Sequence, residues 1–93
     1  MRYQKVEWHH EFPDEPVLLY AEIDDGGRET RKVDIYRDGR WDYADATRST
    51  GTTKLSIEPM PSIDEIAAQS EFSPIQIGAE EFEEAWRQAH SKG

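Results

Sequence analysis

The chain has 93 residues, no cysteine and a formal net charge of −9, from 20 acidic and 11 basic side chains. A chain of this length forms one modest hydrophobic core, which excludes a cofactor-binding domain beside a separate substrate domain. The absence of cysteine excludes disulfides, thiolate metal sites and a cysteine nucleophile. We therefore predict one domain over residues 1–93, mainly β over 1–57 and helical over 62–91.

The charge is unevenly distributed. Residues 1–27 carry 2 basic and 7 acidic side chains. Residues 28–48 carry 6 basic and 5 acidic side chains, and residues 49–93 carry 3 basic and 8 acidic ones. Without a basic patch, nucleic-acid phosphates and anionic membrane surfaces would be repelled, whereas a basic protein would be attracted. No apolar run approaches the roughly 18–20 residues of a membrane span, and the N-terminus carries no apolar signal core. We expect cytoplasmic residence and, as partner, a basic protein; the sequence does not specify an oligomeric state.

The first half of the chain predicts a four-stranded antiparallel meander. Residues 2–9 alternate, with Val6 and Trp8 on one face. Residues 17–23 and 28–36 form the next two strands, separated by a turn rich in aspartate and glycine. The dipeptide Asp38-Gly39 then predicts a tight hairpin of type I′, which leads into a fourth strand that begins near Trp41.

The second half predicts two helices. Ser62 and Glu65 have the spacing of a capping box, which starts a short helix. A second helix begins near Gly78-Ala79, with an apolar stripe at Phe82, Ala85, Trp86 and Ala89. Before the first helix, residues 55–57 (LSI) are a candidate fifth strand. Between the two helices, residues 72–77 (FSPIQI) are predicted to be an irregular connector. The expected fold is α+β, with a four- or five-stranded sheet packed on one face by both helices.

The run from Val6 to Glu22 (VEWHHEFPDEPVLLYAE) resembles a group of small bacterial domains of unknown function with the pattern V-E-W-x-H-x-F-x-x-E-P-V-x-L-Y-x-E. Further matches are residues 31–33 (RKV), the Asp38-Gly39 turn, residues 49–51 (STG) and residues 80–83 (EEFE). The resemblance extends over nearly the whole chain and implies no enzymatic activity. Some small domains of this kind accompany toxin systems as protective partners, so the resemblance also suggests a protective or inhibitory partner of a basic protein.

The adjacent histidines His9 and His10 raise the question of a metal or acid–base site. Neighbouring side chains of a strand point to opposite faces, so the pair cannot converge on one ion, and His90 is far away in sequence. We therefore expect neither a metal nor another cofactor. His10 shares a face with Trp8 and lies beside Glu11. It is interpreted either as a structural histidine that bonds loop backbone groups or as a proton carrier in a small hydrolase or ligand-binding site.

The candidate binding residues lie in or beside the first strand and its following loop, and on two later strands: Trp8, His10, Glu11, Asp14, Glu15, Tyr36 and Trp41. The aromatic members suit either a core or a recognition surface. The carboxylates form an acidic cluster with no local structural purpose. No residue is assigned as catalytic. The favoured hypothesis is a non-enzymatic protein-interaction module, and the alternative is a small hydrolase or ligand-binding domain that uses His10 with nearby carboxylates.

Overall fold

A computed structural model describes residues 1–92. The elements in chain order are β1 (Arg2–Trp8), β2 (Pro16–Ile23), β3 (Glu29–Tyr36), β4 (Trp41–Asp45), α1 (Ile63–Ala67), β5 (Phe72–Ile77) and α2 (Ala79–Lys92). The five strands form one open antiparallel sheet in the order β4-β3-β2-β1-β5. The α+β class, the antiparallel sheet and the two C-terminal helices are confirmed. Within residues 1–92, neither helix is long and apolar enough to cross a membrane.

The predicted hairpin at Asp38-Gly39 is present, but its turn type differs. Only Gly39 has a positive φ, +92°, whereas a type I′ turn requires positive φ at two successive residues. Tyr36 N–H donates to the Arg40 carbonyl at 2.9 Å, and Gly39 N–H donates back to the Tyr36 carbonyl at 3.0 Å. The loop therefore has three residues, and Gly39 alone takes the left-handed conformation.

The fifth strand lies elsewhere than expected. Residues 72–77 pair with β1 along its length, from Tyr3 opposite Ile77 to Trp8 opposite Phe72, so the prediction of an irregular connector was wrong. Pro74 is compatible with this strand because β5 is at the sheet edge. Proline has no N–H to donate, and on the outer side of an edge strand no neighbouring strand requires one. Residues 55–57 form no strand, and Ile57 is 83% exposed.

The two faces of the sheet are covered differently. On one, here called the helix face, α2 packs over Tyr3, Val33 and Tyr43. On the other, the loop face, residues 46–62 and α1 lie over the alternate side chains, such as Gln4 and Ala21. The helices are therefore on opposite faces rather than on one. The expectation of one covered face was drawn from helices that follow the strands in sequence, and that order does not determine which face each helix covers.

The second helix forms and docks as its sequence predicts. Phe82 is fully buried, and its ring centre lies 5.4 Å from that of Tyr3 on β1. Trp86 meets Tyr43 of β4 edge-on at 5.3 Å, and Ala85 and Ala89 are buried between them and the sheet. The predicted capping box of α1 is also present, with Ser62 as the N-cap.

Candidate functional site

The loop between β1 and β2 is organised around His10. The chain leaves β1 at Trp8, and the His10 ring packs against the Trp8 ring at 4.3 Å between centres. Phe12 stacks on the other side of His10 at 5.4 Å and is 60% exposed. The predicted sharing of a face by Trp8 and His10 is therefore observed. The result is a cluster of three rings that begins in the sheet and ends in solvent.

Both ring nitrogens of His10 bind backbone groups. The Phe12 N–H donates to Nδ1 at 2.9 Å, so Nδ1 carries no proton. Nε2 lies 2.8 Å from the Pro16 carbonyl and, in this tautomer, donates to it. His10 thus ties the start of the loop to its end. The structural interpretation of His10 gains support from these two bonds, because neither nitrogen is left to move a proton.

The other histidines lie apart from His10. His9 contacts the Ser73 hydroxyl of β5 at 2.8 Å, and His90 stacks on Tyr43 at 3.9 Å. Neighbouring His9 and His10 have partners on β5 and β2, so they diverge as expected for a strand end. In the part of the chain that the structure describes, no three histidine, aspartate or glutamate side chains are grouped to hold a metal ion.

The predicted carboxylates of the loop are not neutralised. Glu11, Asp14 and Glu15 are exposed, and none forms an ion pair with another residue of 1–92. The acids of α2 behave differently, because three of the four pair with bases: Glu81 with Lys5 at 3.1 Å, Glu83 with Arg31 at 2.5 Å, and Glu84 with Arg87. Uncompensated negative charge is therefore concentrated in the β1–β2 loop rather than at the helix.

The predicted aromatic residues fall on two faces. Tyr36 lies on the loop face beside Pro16, is 4% exposed and carries the Arg40 guanidinium 4.0 Å above its ring. Trp8 shares with Tyr36 the wall of a surface depression of about 340 Å³, which Asp14 and Glu15 also line. Trp41 lies on the helix face. The sheet thus brings together six of the seven predicted binding residues and separates Trp41 from them.

A second, open depression of about 800 Å³ lies on the other side of the loop. Its walls include the apolar groups of Trp8, Val17 and Leu18 and the carboxylates of Glu7 and Glu11. Two cations also line it: Lys5 is paired with Glu81, whereas Arg37 donates to the neutral His10 carbonyl at 2.5 Å and keeps its charge. The depression therefore combines apolar surface with two carboxylates that are unpaired within residues 1–92 and one cation.

A buried polar cluster on the loop face was missed in the sequence. Asp34 and Asp42 face each other across β3 and β4 and are 4% and 7% exposed. The Thr53 hydroxyl donates to Asp34 at 3.0 Å, and the Thr50 hydroxyl lies 3.0 Å from Asp42. A Cβ at Gly51 would lie 2.5 Å from an Asp42 oxygen, so this loop closes over the carboxylates only with glycine there.

A family model described as "Domain of unknown function (DUF6881)" matches residues 2–91. The chain belongs to this family. No curated protein and no solved structure matches the chain. The family assignment agrees with the resemblance drawn from the first strands and the Ser49–Gly51 segment.

In this DUF6881 domain the Ser49–Gly51 segment has a structural explanation. Burial raises the pKa of the Asp34 carboxyl, and the charge of Asp42 adds to the effect, whereas Lys32 and Thr53 oppose it. Hydroxyl groups of the polar loop 46–53 donate hydrogen bonds to both carboxylates, and these bonds add to the ion pairs of Asp34 with Lys32 at 3.7 Å and of Asp42 with Arg40 at 3.5 Å. The sequence contained one signal for this cluster. Asp34 and Asp42 occupy paired positions of a predicted hairpin, and a loop rich in serine and threonine follows it.

Proposed function

We propose that this domain is a non-enzymatic protein-interaction module that binds a basic protein through the β1–β2 loop. The observation that carries the proposal is that the exposed Phe12 shares its loop with three unpaired carboxylates: Glu11, Asp14 and Glu15. An exposed aromatic ring surrounded by charge is typical of an interface anchor. The loop is also held in place by His10, so little conformational entropy is lost on binding.

The surroundings of the loop fit a basic partner. An arginine or lysine side chain that entered the open depression would lay its methylene stem on Val17 and Leu18 and its charge beside Glu7 and Glu11. A role as protective or inhibitory partner of a basic toxin is one form of this proposal, in the cytoplasm of a bacterium. The hydrolase alternative has less support, because both nitrogens of His10 are bonded to the backbone.

The test begins with a partner recovered by the wild-type chain and measures its binding kinetics at several salt concentrations. One variant reverses the three loop charges, Glu11→Lys, Asp14→Lys and Glu15→Lys. The matched control reverses three other exposed acids that form no ion pair, Glu58→Lys, Asp64→Lys and Glu80→Lys, so both variants have the same net charge.

The loop variant should slow association by about tenfold or more relative to the control variant at low salt. The difference should shrink as salt rises, because exposed charges are screened over about 8–10 Å at 0.1–0.15 M ionic strength. Equal effects of the two variants, or a partner as acidic as this chain, would show that the charge serves solubility alone.

A further inference from the structure

A partly open cavity of about 250 Å³ lies between the loop face of the sheet and the segment that covers it. Its floor is formed by β1 and β2 and its roof by α1 and the residues just before it. The apolar side chains that line it are Val6, Leu19, Ala21, Met60, Ile66 and Phe72. The volume exceeds the roughly 150 Å³ of an engineered apolar cavity that binds benzene, and it is slightly below that of drug-sized sites.

The cavity wall carries a hydrogen-bond acceptor with no donor. Gln4 is 1% exposed and lines the cavity, and its Oε1 has no hydrogen-bond partner among residues 1–92. Buried side-chain oxygens in folded proteins nearly always have a partner, so an unpaired one beside an empty volume points to a missing donor. The oxygen is covered by protein in the unliganded domain, so it accepts a hydrogen bond from a guest molecule once the Gln4 side-chain amide turns toward the cavity.

A second acceptor stands at the same wall. Glu29 is 8% exposed, and its Oε1 accepts a hydrogen bond from the Ser56 N–H at 2.8 Å. Burial raises the pKa of the Glu29 carboxyl, while the charge of Lys32 opposes the rise. The polar lining also includes Lys32, Ser56 and Gln69, which carry donors, so the preference for a ligand that donates rests on the unpaired Gln4 oxygen.

The roof is attached to the sheet at a small number of points. Met60 N–H donates to the Gly27 carbonyl at 2.7 Å, and the Arg28 guanidinium donates to the Ile57 carbonyl at 2.6 Å. Segments with few buried contacts open at lower free energy than the sheet beneath them. A small molecule can therefore enter without unfolding of the domain.

We propose that this cavity binds a small, largely apolar molecule that carries one N–H or O–H donor, and that Gln4 Oε1 accepts its hydrogen bond. The ligand is of the size of a mono- or bicyclic aromatic compound. This site is separate from the β1–β2 loop and does not depend on the basic partner proposed above.

Indole and indene are suitable probes, because they have nearly the same shape and only indole carries an N–H donor. Titration of the full chain by two-dimensional NMR should shift amide signals around the cavity for both compounds. Indole should bind about five- to tenfold more tightly than indene, as expected for one hydrogen bond to a buried acceptor. In Gln4→Met this preference should disappear, whereas Gln76→Met, which changes the exposed partner of Gln4 on β5, should keep it.

The location is tested by filling the cavity. Ala21→Leu places a larger side chain in the wall and should weaken both probes by about tenfold or more; Leu19→Phe serves the same purpose if Ala21→Leu does not fold. Three results would each overturn the proposal: neither probe binds, as for a water-filled cavity; both bind equally well to the wild type; or cavity filling leaves both affinities unchanged.

Discussion

Arg31 and Glu22 face each other directly across β2 and β3, and the guanidinium group donates hydrogen bonds of 2.9 and 2.6 Å to the two carboxylate oxygens. The same guanidinium bonds to Glu83 of α2 and lies 4.9 and 5.0 Å from the ring centres of Phe82 and Trp86. One side chain thus joins the middle of the sheet to the helix that covers it.

The first prediction concerns acid stability. The hydrogen bonds from Arg31 are the main cause of the lowering of the Glu22 pKa from 4.5 to about 2, and burial opposes them. Because the folded-state pKa is the lower one, the stabilisation is fully present above pH 4.5 and is lost as pH falls toward 2. Glu22→Gln should lower the free energy of unfolding at pH 7 by about 2 kcal/mol.

The measurement is urea denaturation of the wild type and Glu22→Gln between pH 7 and pH 2. The difference in free energy of unfolding between the two proteins should decrease as pH falls below 4.5. Glu80→Gln, an exposed carboxyl without an ion pair, is the control and should follow the wild type throughout. If this difference in free energy of unfolding stays constant with pH, the charge of Glu22 is not what stabilises the fold.

Truncation of Phe82 tests the docking of α2. Its side chain is fully buried between the helix and the sheet, so Phe82→Ala removes apolar contacts and leaves a cavity. The expected loss is about 3–5 kcal/mol, a large part of the stability of a small domain. Gln88→Ala on the exposed side of the same helix should change stability by less than about 0.5 kcal/mol. Thermal unfolding compares the two, and similar midpoints would contradict the packing.

The adjacent histidines provide a matched pair. His10→Ala leaves a half-buried carbonyl and the Phe12 N–H without their partner, so it should lower stability by about 1–3 kcal/mol. His9→Ala removes only an exposed contact to Ser73 and should be near neutral. Long-range proton–nitrogen NMR should show His10 protonated at Nε2 and not at Nδ1. A protonated Nδ1 would disprove the assigned tautomer and reopen an acid–base role.

Two glycines distinguish backbone strain from steric contact. Gly39 and Gly51 both have positive φ, but a Cβ at Gly39 meets nothing within 4 Å, whereas one at Gly51 meets the Asp42 carboxylate. Gly39→Ala should cost about 1–2 kcal/mol for the unfavourable φ alone. Gly51→Ala should cost more, because it also displaces the loop that solvates Asp42. Equal losses in chemical denaturation would show that the loop is free to move away.

The strongly periodic parts of the fold were predictable from the sequence. The alternation of β1 to β4, the Asp38-Gly39 turn and the apolar stripe of α2 each contain their own local signal. β5 does not, since its six residues include Pro74, and a short apolar run of this kind is stabilised as a strand only by pairing with β1. Residues 55–57 show the reverse: their apolar side chains alternate as in a strand, but no neighbouring strand pairs with them, so they form none.

The site was predictable only where residues with the relevant side chains are also close together in the sequence. Trp8, His10 and the loop acids lie within nine residues of one another, so their proximity follows from the sequence. The burial of Gln4 and Asp34 was not predicted, because an alternating polar residue on a strand gives no sign that a later polar loop will cover it. That burial depends on contacts of residues 46–62, which no local pattern specifies.

The position of β5 determines the order in which the sheet can be completed. β1 pairs on one side with β2, its neighbour in the chain, and on the other with residues 64 to 74 positions further on. Closing so long a loop is entropically slower than forming the local hairpins, so β1 spends part of folding as an open edge. An open edge offers unpaired backbone groups to other chains. Self-association should therefore threaten this protein mainly while it folds, since of the two native edges β5 carries a proline and β4 is bridged at Ala44 by Ser49.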